Sequence, residues 1–443
     1  MELKSKQVYI ETLGCNKNTV DSEIIATLLK RNGIPIVKNP DDADVIIVNT
    51  CAFIDEAKEE SINTILSLAE YKKNGKKLIV SGCLAQIYSS ELLKEIPEID
   101  TVAGVENLDE IVNQILKDRY VRDLKVTRNI SSRFVEYPER ECLLSGNGTA
   151  YIKVAEGCNV NCSFCIIPKI RGPLRSRRIE NIVEEANRLI ELGVKELILV
   201  SQDTLSYGVD IGLENGLDKL LKALLSETDA MFIRVLYLRP AHELLNVQSL
   251  FGNSRVLPYF DIPIQHVSKK ILKLMNRRGG YDEYLQLLSK IREMEKRAVI
   301  RTSVIVGFPG EDDNDFNELV SFLKEARINH LGVFTFSPQR ESDAWNYKPR
   351  VKKVIAEKRK KKIYDLQEEI SYSLLRKEEG KTFDVLIEEK VRGKDIYFGR
   401  SYHFAPEVDG TFVVYSEKRL TPGAVVKARV ERADVYDLHG VIV

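Results

Sequence analysis

The chain has 443 residues, too many for one ordinary hydrophobic core, so two or three packed cores are expected, and its 44% hydrophobic residues can fill them. Its 66 Lys+Arg balance 66 Asp+Glu, which excludes a global field drawing the whole protein onto nucleic acid; any RNA contact has to be local. No apolar run reaches a membrane span and no signal-like stretch opens the sequence, so the seven cysteines read as reduced thiols in the cytoplasm rather than as disulfides.

From residue 7 to about 117, short apolar runs at 8–13, 45–49 and 78–81 read as buried strands, with helices such as 21–31 and 55–71 between them. That alternation is the pattern of an N-terminal parallel α/β sheet domain. A linker of mixed charge is expected over 118–149, with Pro138 and the turn signal Gly146-Asn147-Gly148. A second alternating series follows, with strands near Tyr151, Leu197, Ile233, Pro258, Ile300 and Val333, which predicts a central incomplete (β/α)6 barrel. A long helix is expected over 351–379, carrying Val351, Ile355, Ile363, Leu366, Ile370 and Leu374 at near-helical spacing and stopped by Gly380. Its polar run 358–362 reads as a solvated face. Beyond it, β-rich segments at 382–387, 396–398, 410–414 and 425–430 predict a small OB-like β-barrel, which contains no Cys and reads as a recognition module. The expected domain limits are 1–130, 145–378 and 379–443.

The strongest chemical signal is Cys158-x-x-x-Cys162-x-x-Cys165 in the loop after the first barrel strand. Three thiolates can hold three irons of a 4Fe-4S cubane and leave the fourth open. An open iron can chelate the amino and carboxylate groups of S-adenosylmethionine, whose one-electron reduction yields methionine and a 5′-deoxyadenosyl radical. A zinc knuckle is the alternative, but it normally closes with four ligands.

Cys15, Cys51 and Cys83 each follow one of the first three strands. The carboxyl ends of adjacent parallel strands line one crevice, so three thiols far apart in sequence are expected to converge and hold a second cluster with an open iron. Three unrelated buried thiols are the bland alternative. Cys142 fits neither group and reads as structural or incidental. His242, His266, His330, His403 and His439 have no metal-ligand spacing. His266, with Gln265, lies at the end of the fourth barrel strand, Gln202 and Asp203 end the second, and Gly307 to Glu311 end the fifth; these are candidates for binding the nucleoside. The basic loop Arg171-Gly-Pro-Leu-Arg175-Ser-Arg177-Arg178 is a candidate for an anion or carboxylate, or a solvated loop.

At these residues the sequence resembles the methylthiotransferases of the radical S-adenosylmethionine superfamily over nearly its whole length. The likeness is carried by Leu13-Gly-Cys15-Asn-Lys-Asn18-Thr-Val-Asp21-Ser-Glu23, by Asn49-Thr-Cys51-Ala-Phe-Ile, and by Ala155-Glu-Gly-Cys158 through Cys165-Ile-Ile-Pro168. The C-terminal barrel resembles a TRAM domain. Ser303 departs from the Gly that many radical enzymes carry in the fifth strand. Two branches compete: RimO-like enzymes, which modify an aspartate of ribosomal protein S-twelve, and MiaB-like enzymes, which modify a tRNA adenosine. The continuation after Cys15, together with Gly399-Arg-Ser401 and Ala405-Pro-Glu407-Val-Asp409-Gly410, looks RimO-like. The balanced charge of 381–443 agrees, because a tRNA groove would favour a basic stripe, whereas Glu407 and Asp409 suit a basic protein.

The resemblance implies two 4Fe-4S clusters and two uses of S-adenosylmethionine. One methylates a sulfur at the Cys15, Cys51 and Cys83 cluster, and the other is cleaved to the radical that removes hydrogen from the β-carbon of aspartate, which then captures the methylthio group. It also implies a low-potential electron donor such as flavodoxin or ferredoxin, a sulfur donor, and ribosomal protein S-twelve, free or in the small subunit, as partner. A non-catalytic iron-sulfur scaffold or RNA-binding protein is the reading of a different class, separated by whether reduced protein forms 5′-deoxyadenosine.

Overall fold

The computed structural model describes residues 6–124, 134, 136–137, 139–144, 146 and 148–443. Pro138 and Asn147, read above as linker and turn signals, lie outside the described residues. The chain divides into two compact units, one of residues 1–145, 151–160 and 165–188 and one of 146–150, 161–164 and 189–443.

The first unit opens with β1 (Val8–Thr12), α1 (Asn16–Arg31), β2 (Val45–Thr50), α2 (Asp55–Ala69), β3 (Lys77–Gly82), α3 (Cys83–Glu95), β4 (Thr101–Val102) and α4 (Leu108–Lys117). The four strands pair in parallel in the order β1-β2-β3-β4. All six residues of β2 are buried, which is why its apolar residues run on without alternation: a parallel strand covered on both faces has no wet side. Ile46, Val48, Leu78 and Val80 share a core with Ile65 of α2 and Leu92 of α3. Helix α1 begins at Asn16, five residues before the helix expected from residue 21. The reason is its buried polar face, Lys17, Asn18, Asp21, Ser22 and Glu23, which hides the apolar periodicity by which a helix is read.

Next in the chain come β5 (Thr149–Lys153), β6 (Ala155–Glu156), α5 (Ile167–Arg171), β7 (Arg175–Ser176) and α6 (Ile179–Glu191). Strands β6 and β7 pair antiparallel.

The second unit continues with β8 (Glu196–Val200), α7 (Gly216–Glu227), β9 (Phe232–Val235), β10 (Tyr259–Asp261), α8 (Lys269–Leu274), α9 (Tyr281–Met294), β11 (Val299–Val306), α10 (Asp313–Ala326), β12 (His330–Thr335) and α11 (Lys353–Leu375). Strand β8 pairs in parallel with β9, and β11 lies between β10 and β12, parallel to both. With β5 these are the six strands expected of the incomplete β/α barrel. A capping box at Asp312 and Asp315 starts α10. The C-terminal strands β13 (Thr382–Lys390), β14 (Ile396–Arg400), β15 (Phe412–Tyr415), β16 (Val425–Ala433) and β17 (Leu438–Ile442) close into a barrel in the order β13-β14-β15-β17-β16. Strand β17 is additional to the strands expected. A Cβ at its central Gly440 would stand 2.1 Å from the Arg429 carbonyl oxygen, so the glycine serves close strand approach.

Glu196 of β8 joins the two parts of this unit. Its carboxylate accepts from Arg234 Nε of β9 and Arg400 Nη2 of β14, each at 2.6 Å. Burial pushes the Glu196 carboxyl up, but Arg400 and Arg234 outweigh it and hold it at about 2, against 4.5 for an ordinary glutamate. A folded-state value below the unfolded one gives stability that is present above pH 4.5 and lost as pH falls toward 2, worth about 3 kcal/mol. Glu196→Gln is therefore expected to lower stability at neutral pH and to erase part of the acid dependence. A urea-unfolding series from pH 6 to pH 2.5 checks it, and parallel curves for the two proteins would refute it.

Candidate functional site

The in-register strands place the N-terminal cysteines. Thr12 of β1 pairs with Asn49 of β2, which pairs with Ser81 of β3, so the three strands end at one edge. Cys15 caps the N-terminus of α1 in extended conformation, Cys51 follows β2 directly, and Cys83 is the first residue of α3. The turns are held from within. The Cys51 N–H donates to Ser61 Oγ at 3.0 Å, and Asn18 Nδ2 donates to the Leu13 carbonyl (2.9 Å) and the Thr50 carbonyl (3.0 Å), one residue or two ahead of a cysteine. Gly14 has φ +87°, and a Cβ there would stand 2.7 Å from Cys51 Sγ, so only glycine leaves the sulfur its room.

Two of the three thiols, Cys83 and Cys51, feel the neighbouring sulfurs. Burial pushes the Cys83 thiol up to about 12; Arg171 pulls against it, and Cys15 and Cys51 add to the rise. Burial also raises Cys51, again with a contribution from Cys15. Among the described residues no group of three His, Cys, Asp or Glu could hold a single metal ion. A cubane has a separate iron at each ligand and asks for thiols spread wider than one ion does. Three thiols converging at one sheet edge fit that group.

Behind Cys83 lies a buried polar network that the sequence does not announce. Arg171 Nη2 stands 3.5 Å from Cys83 Sγ, 2.7 Å from Asn18 Oδ1 and 3.2 Å from Asp21 Oδ2, while Nη1 donates to Glu156 at 2.7 Å. Lys153 donates to Asp21 and, at 2.9 Å, to Glu156. Three arginines of the basic loop, Arg171, Arg175 and Arg177, are thus buried against carboxylates, while Arg178 is exposed. Arg175 pairs with Glu106, and Arg177 with Glu136 and Glu185. The signal in the sequence is the run of polar residues inside α1 facing a run of arginines after the radical motif. Cys142 lies outside this network, half-buried, its N–H donating to Thr27 Oγ1 at 3.0 Å.

In the loop of Cys158, Cys162 and Cys165 all three thiols are half-buried and none is in a disulfide. The Cys158 N–H donates to the Gly172 carbonyl at 3.1 Å, and its Sγ accepts from the Val160 N–H at 3.3 Å. Gly157 has φ +76°, and a Cβ there would meet the Pro173 carbonyl at 2.0 Å, so glycine is required for the crossing. Three half-buried thiols on a loop braced by backbone fit a site-differentiated cubane.

The nucleoside candidates divide. Gln202 is half-buried after β8; Asp203 Oδ2 accepts from Ser206 Oγ (2.6 Å) and Arg239 Nε (3.1 Å), while its buried Oδ1 has no partner among the described residues. Gln265 has φ +70° and bridges to β11 through its backbone. His266 is wholly buried, its Nδ1 accepts from the Ser268 N–H at 3.0 Å, and burial pulls it down to about 4, so the ring is neutral. A Cβ at Gly307 would stand 2.5 Å from Ala356 Cβ, so glycine there admits α11. The buried Glu311 carboxylate is taken up by the Phe308 N–H (3.0 Å) and Arg359 (2.8 Å); burial pushes it up to about 7 against the pull of that arginine.

Asp409 is corrected. The sequence predicts a side chain that reaches a partner, yet it is only 1% exposed. It accepts from Tyr259 Oη and, at 2.8 Å, from the Ala405 N–H, with Arg301 Nε at 3.5 Å. It closes a turn in which Glu407, at φ +69°, and Val408 face water. Asp409→Ala is expected to cost about 3 kcal/mol, the scale of breaking a buried charge network, whereas Glu407→Lys should stay within about 0.5 kcal/mol. Equilibrium unfolding of the two variants checks this, and equal stabilities would contradict it.

With this geometry in view, the class of protein is defined by comparison. Residues 152–323 match the radical SAM superfamily, residues 380–443 the TRAM domain, and residues 7–104 the uncharacterized protein family UPF0004. The fold resembles the radical S-adenosylmethionine methyltransferase TsrM from Kitasatospora setae, with TM-score 0.55 at 12% identity over 77% of each chain. The chain is 43% identical to the ribosomal protein uS12 methylthiotransferase RimO of Acetivibrio thermocellus over 99% of this chain and 98% of that protein. It is also 43% identical to the protein of that name from Caldicellulosiruptor saccharolyticus, over 98% of each. The chain belongs to the RimO family of radical S-adenosylmethionine methylthiotransferases. Such an enzyme uses a 4Fe-4S cluster and S-adenosylmethionine. Among the described residues, no helix is long and apolar enough to cross a membrane.

Proposed function

We propose that this enzyme adds a methylthio group to the β-carbon of an aspartate in ribosomal protein S-twelve. It would do so with two clusters, one on Cys158, Cys162 and Cys165 and one on Cys15, Cys51 and Cys83. The observation that carries the reading is the convergence of Cys15, Cys51 and Cys83 at the carboxyl edge of β1, β2 and β3, in a chain 43% identical along its length to enzymes of that name. When bound, the clusters supply the electron for reductive cleavage of S-adenosylmethionine and an iron at which sulfur is held.

The chain's own residues do the rest. The backbone contacts of Gly157 and Cys158 hold the radical loop in shape, and the Asn18 bonds tie the turns of Cys15 and Cys51 together. Gln202, Gln265 and His266, at the ends of β8 and β10, are offered as nucleoside contacts, with Asp203 fixing the turn after β8. Functional divisions at 1–130, 145–378 and 379–443 separate sulfur handling, radical generation and recognition. Glu407 is offered as a contact to the basic substrate. A cytoplasmic location, a flavodoxin- or ferredoxin-type reductant and a separate sulfur donor complete the proposal.

The test is mass spectrometry of purified S-twelve and of bulk tRNA after incubation with reconstituted enzyme, reductant and S-adenosylmethionine. Methylthiolation of the aspartate with unmodified tRNA is expected. A methylthioadenosine in tRNA with unmodified S-twelve would replace this reading by the tRNA one.

A further inference from the structure

The buried network behind Cys83 has no evident need for an arginine in contact with a sulfur. Asp21 and Glu156 face Lys153 and Arg171, so two carboxylates and two cations already cancel. A network that served stability alone could point both cations at the carboxylates. Both cations do meet the carboxylates, but the Arg171 guanidinium goes further: Asn18 Oδ1 holds it at 2.7 Å, and its Nη2 also meets Cys83 Sγ at 3.5 Å. Its side chain is 2% exposed, so solvent barely screens its field. Asn18 is the same residue whose Nδ2 ties the turns of Cys15 and Cys51, so one side chain locates both the arginine and two of the three ligands.

We propose that Arg171 is the fixed positive charge of the Cys15, Cys51 and Cys83 centre: a positioning residue that stabilises its most negative states, the reduced cluster and the cluster carrying an anionic sulfur ligand. The inference rests on the reading that this triad holds a cluster. Thiolates and hydrosulfide bring negative charge into a buried site whose other charges balance, and net charge nearby is one of the factors that set a cluster's potential. A cation beside Cys83 therefore raises the potential and tightens retention of hydrosulfide or methanethiolate. Helix α5, which carries Arg171, begins two residues after Cys165, so the segment that follows the radical triad supplies the charge at the other triad.

The experiment uses the full chain with Cys158, Cys162 and Cys165 replaced by Ala, so that the N-terminal cluster is observed alone. In that parent, Arg171→Gln is combined with Glu156→Gln, which removes one cation and one anion together, and Arg171→Lys is made separately. Iron content, an EPR-monitored redox titration and binding of sodium sulfide are measured. The double variant is expected to keep its iron, to show a more negative midpoint potential, and to bind hydrosulfide about tenfold more weakly, the scale of one lost close charge contact. Arg171→Lys should show a smaller shift in the same direction. A full iron complement with the parent's potential and sulfide affinity in the double variant would overturn the inference. Should the double variant not fold, the single Arg171→Gln variant decides, and a full iron complement with the parent's potential and sulfide affinity there has the same consequence. No cluster in the parent itself, where Arg171 is intact, would instead overturn the reading on which the inference rests.

Discussion

Replacing Cys158, Cys162 and Cys165 by Ala is expected to lower the iron of anaerobically reconstituted protein from about eight to about four per chain and to reduce 5′-deoxyadenosine formation to background. The fold should survive. The loop is held by backbone, through the Cys158 N–H on Gly172 and the left-handed Gly157, neither of which needs a sulfur. All three thiols are half-buried, so truncation leaves no large enclosed cavity. The loss of activity is expected to be complete rather than graded, because on the proposed reading the missing cluster is what delivers the electron to S-adenosylmethionine. Iron analysis and chromatographic detection of 5′-deoxyadenosine check both halves. Residual cleavage in the triple variant, or zinc in the wild-type site, would contradict the assignment.

The converse triple variant, Cys15, Cys51 and Cys83 to Ala, is expected to cleave S-adenosylmethionine at close to the wild-type rate while forming no methylthio product. The two triads lie on separate segments of the chain, and the radical loop's own backbone contacts do not involve the three N-terminal residues. Cys51 and Cys83 are buried, so each truncation should cost about 1 kcal/mol, near the low end for core substitutions. The bonds that shape their turns survive, since Ser61 binds the Cys51 backbone and Asn18 binds the carbonyls of Leu13 and Thr50. Product analysis of a reaction with S-twelve would separate the outcomes. A folded variant that has lost cleavage altogether would show that the triads are not independent.

Much of the fold and of the site is legible in the sequence. The runs 45–49 and 78–81 have no alternation because parallel strands buried on both faces have none, and they match β2 and β3 within a residue or so. Convergence of Cys15, Cys51 and Cys83 can be read from strand order alone, since each cysteine follows its strand at nearly the same offset. Where polar side chains turn is not legible in the same way. Asp409 and Glu407 stand two residues apart in one turn, yet one is closed around Tyr259 and Ala405 and the other faces water. Glu311 carries the signature of a ligand loop, but its carboxylate is taken by Arg359 of α11, about fifty residues on.

By itself, then, the sequence determined the order of sheet, β/α barrel and small β-barrel, the two cysteine triads, and the family they imply. These depend on local periodicity and spacing, which the chain carries within a few residues of each position. Tertiary structure alone decided which charges are neutralised inside the protein. Arg171 reads as one arginine in a basic loop until the fold sets it against Asp21, Glu156 and Cys83, residues separated from it by 15 to 150 positions. The physical reason is that a buried charge is defined by its partners and by the water it has lost, and neither is a property of neighbouring sequence.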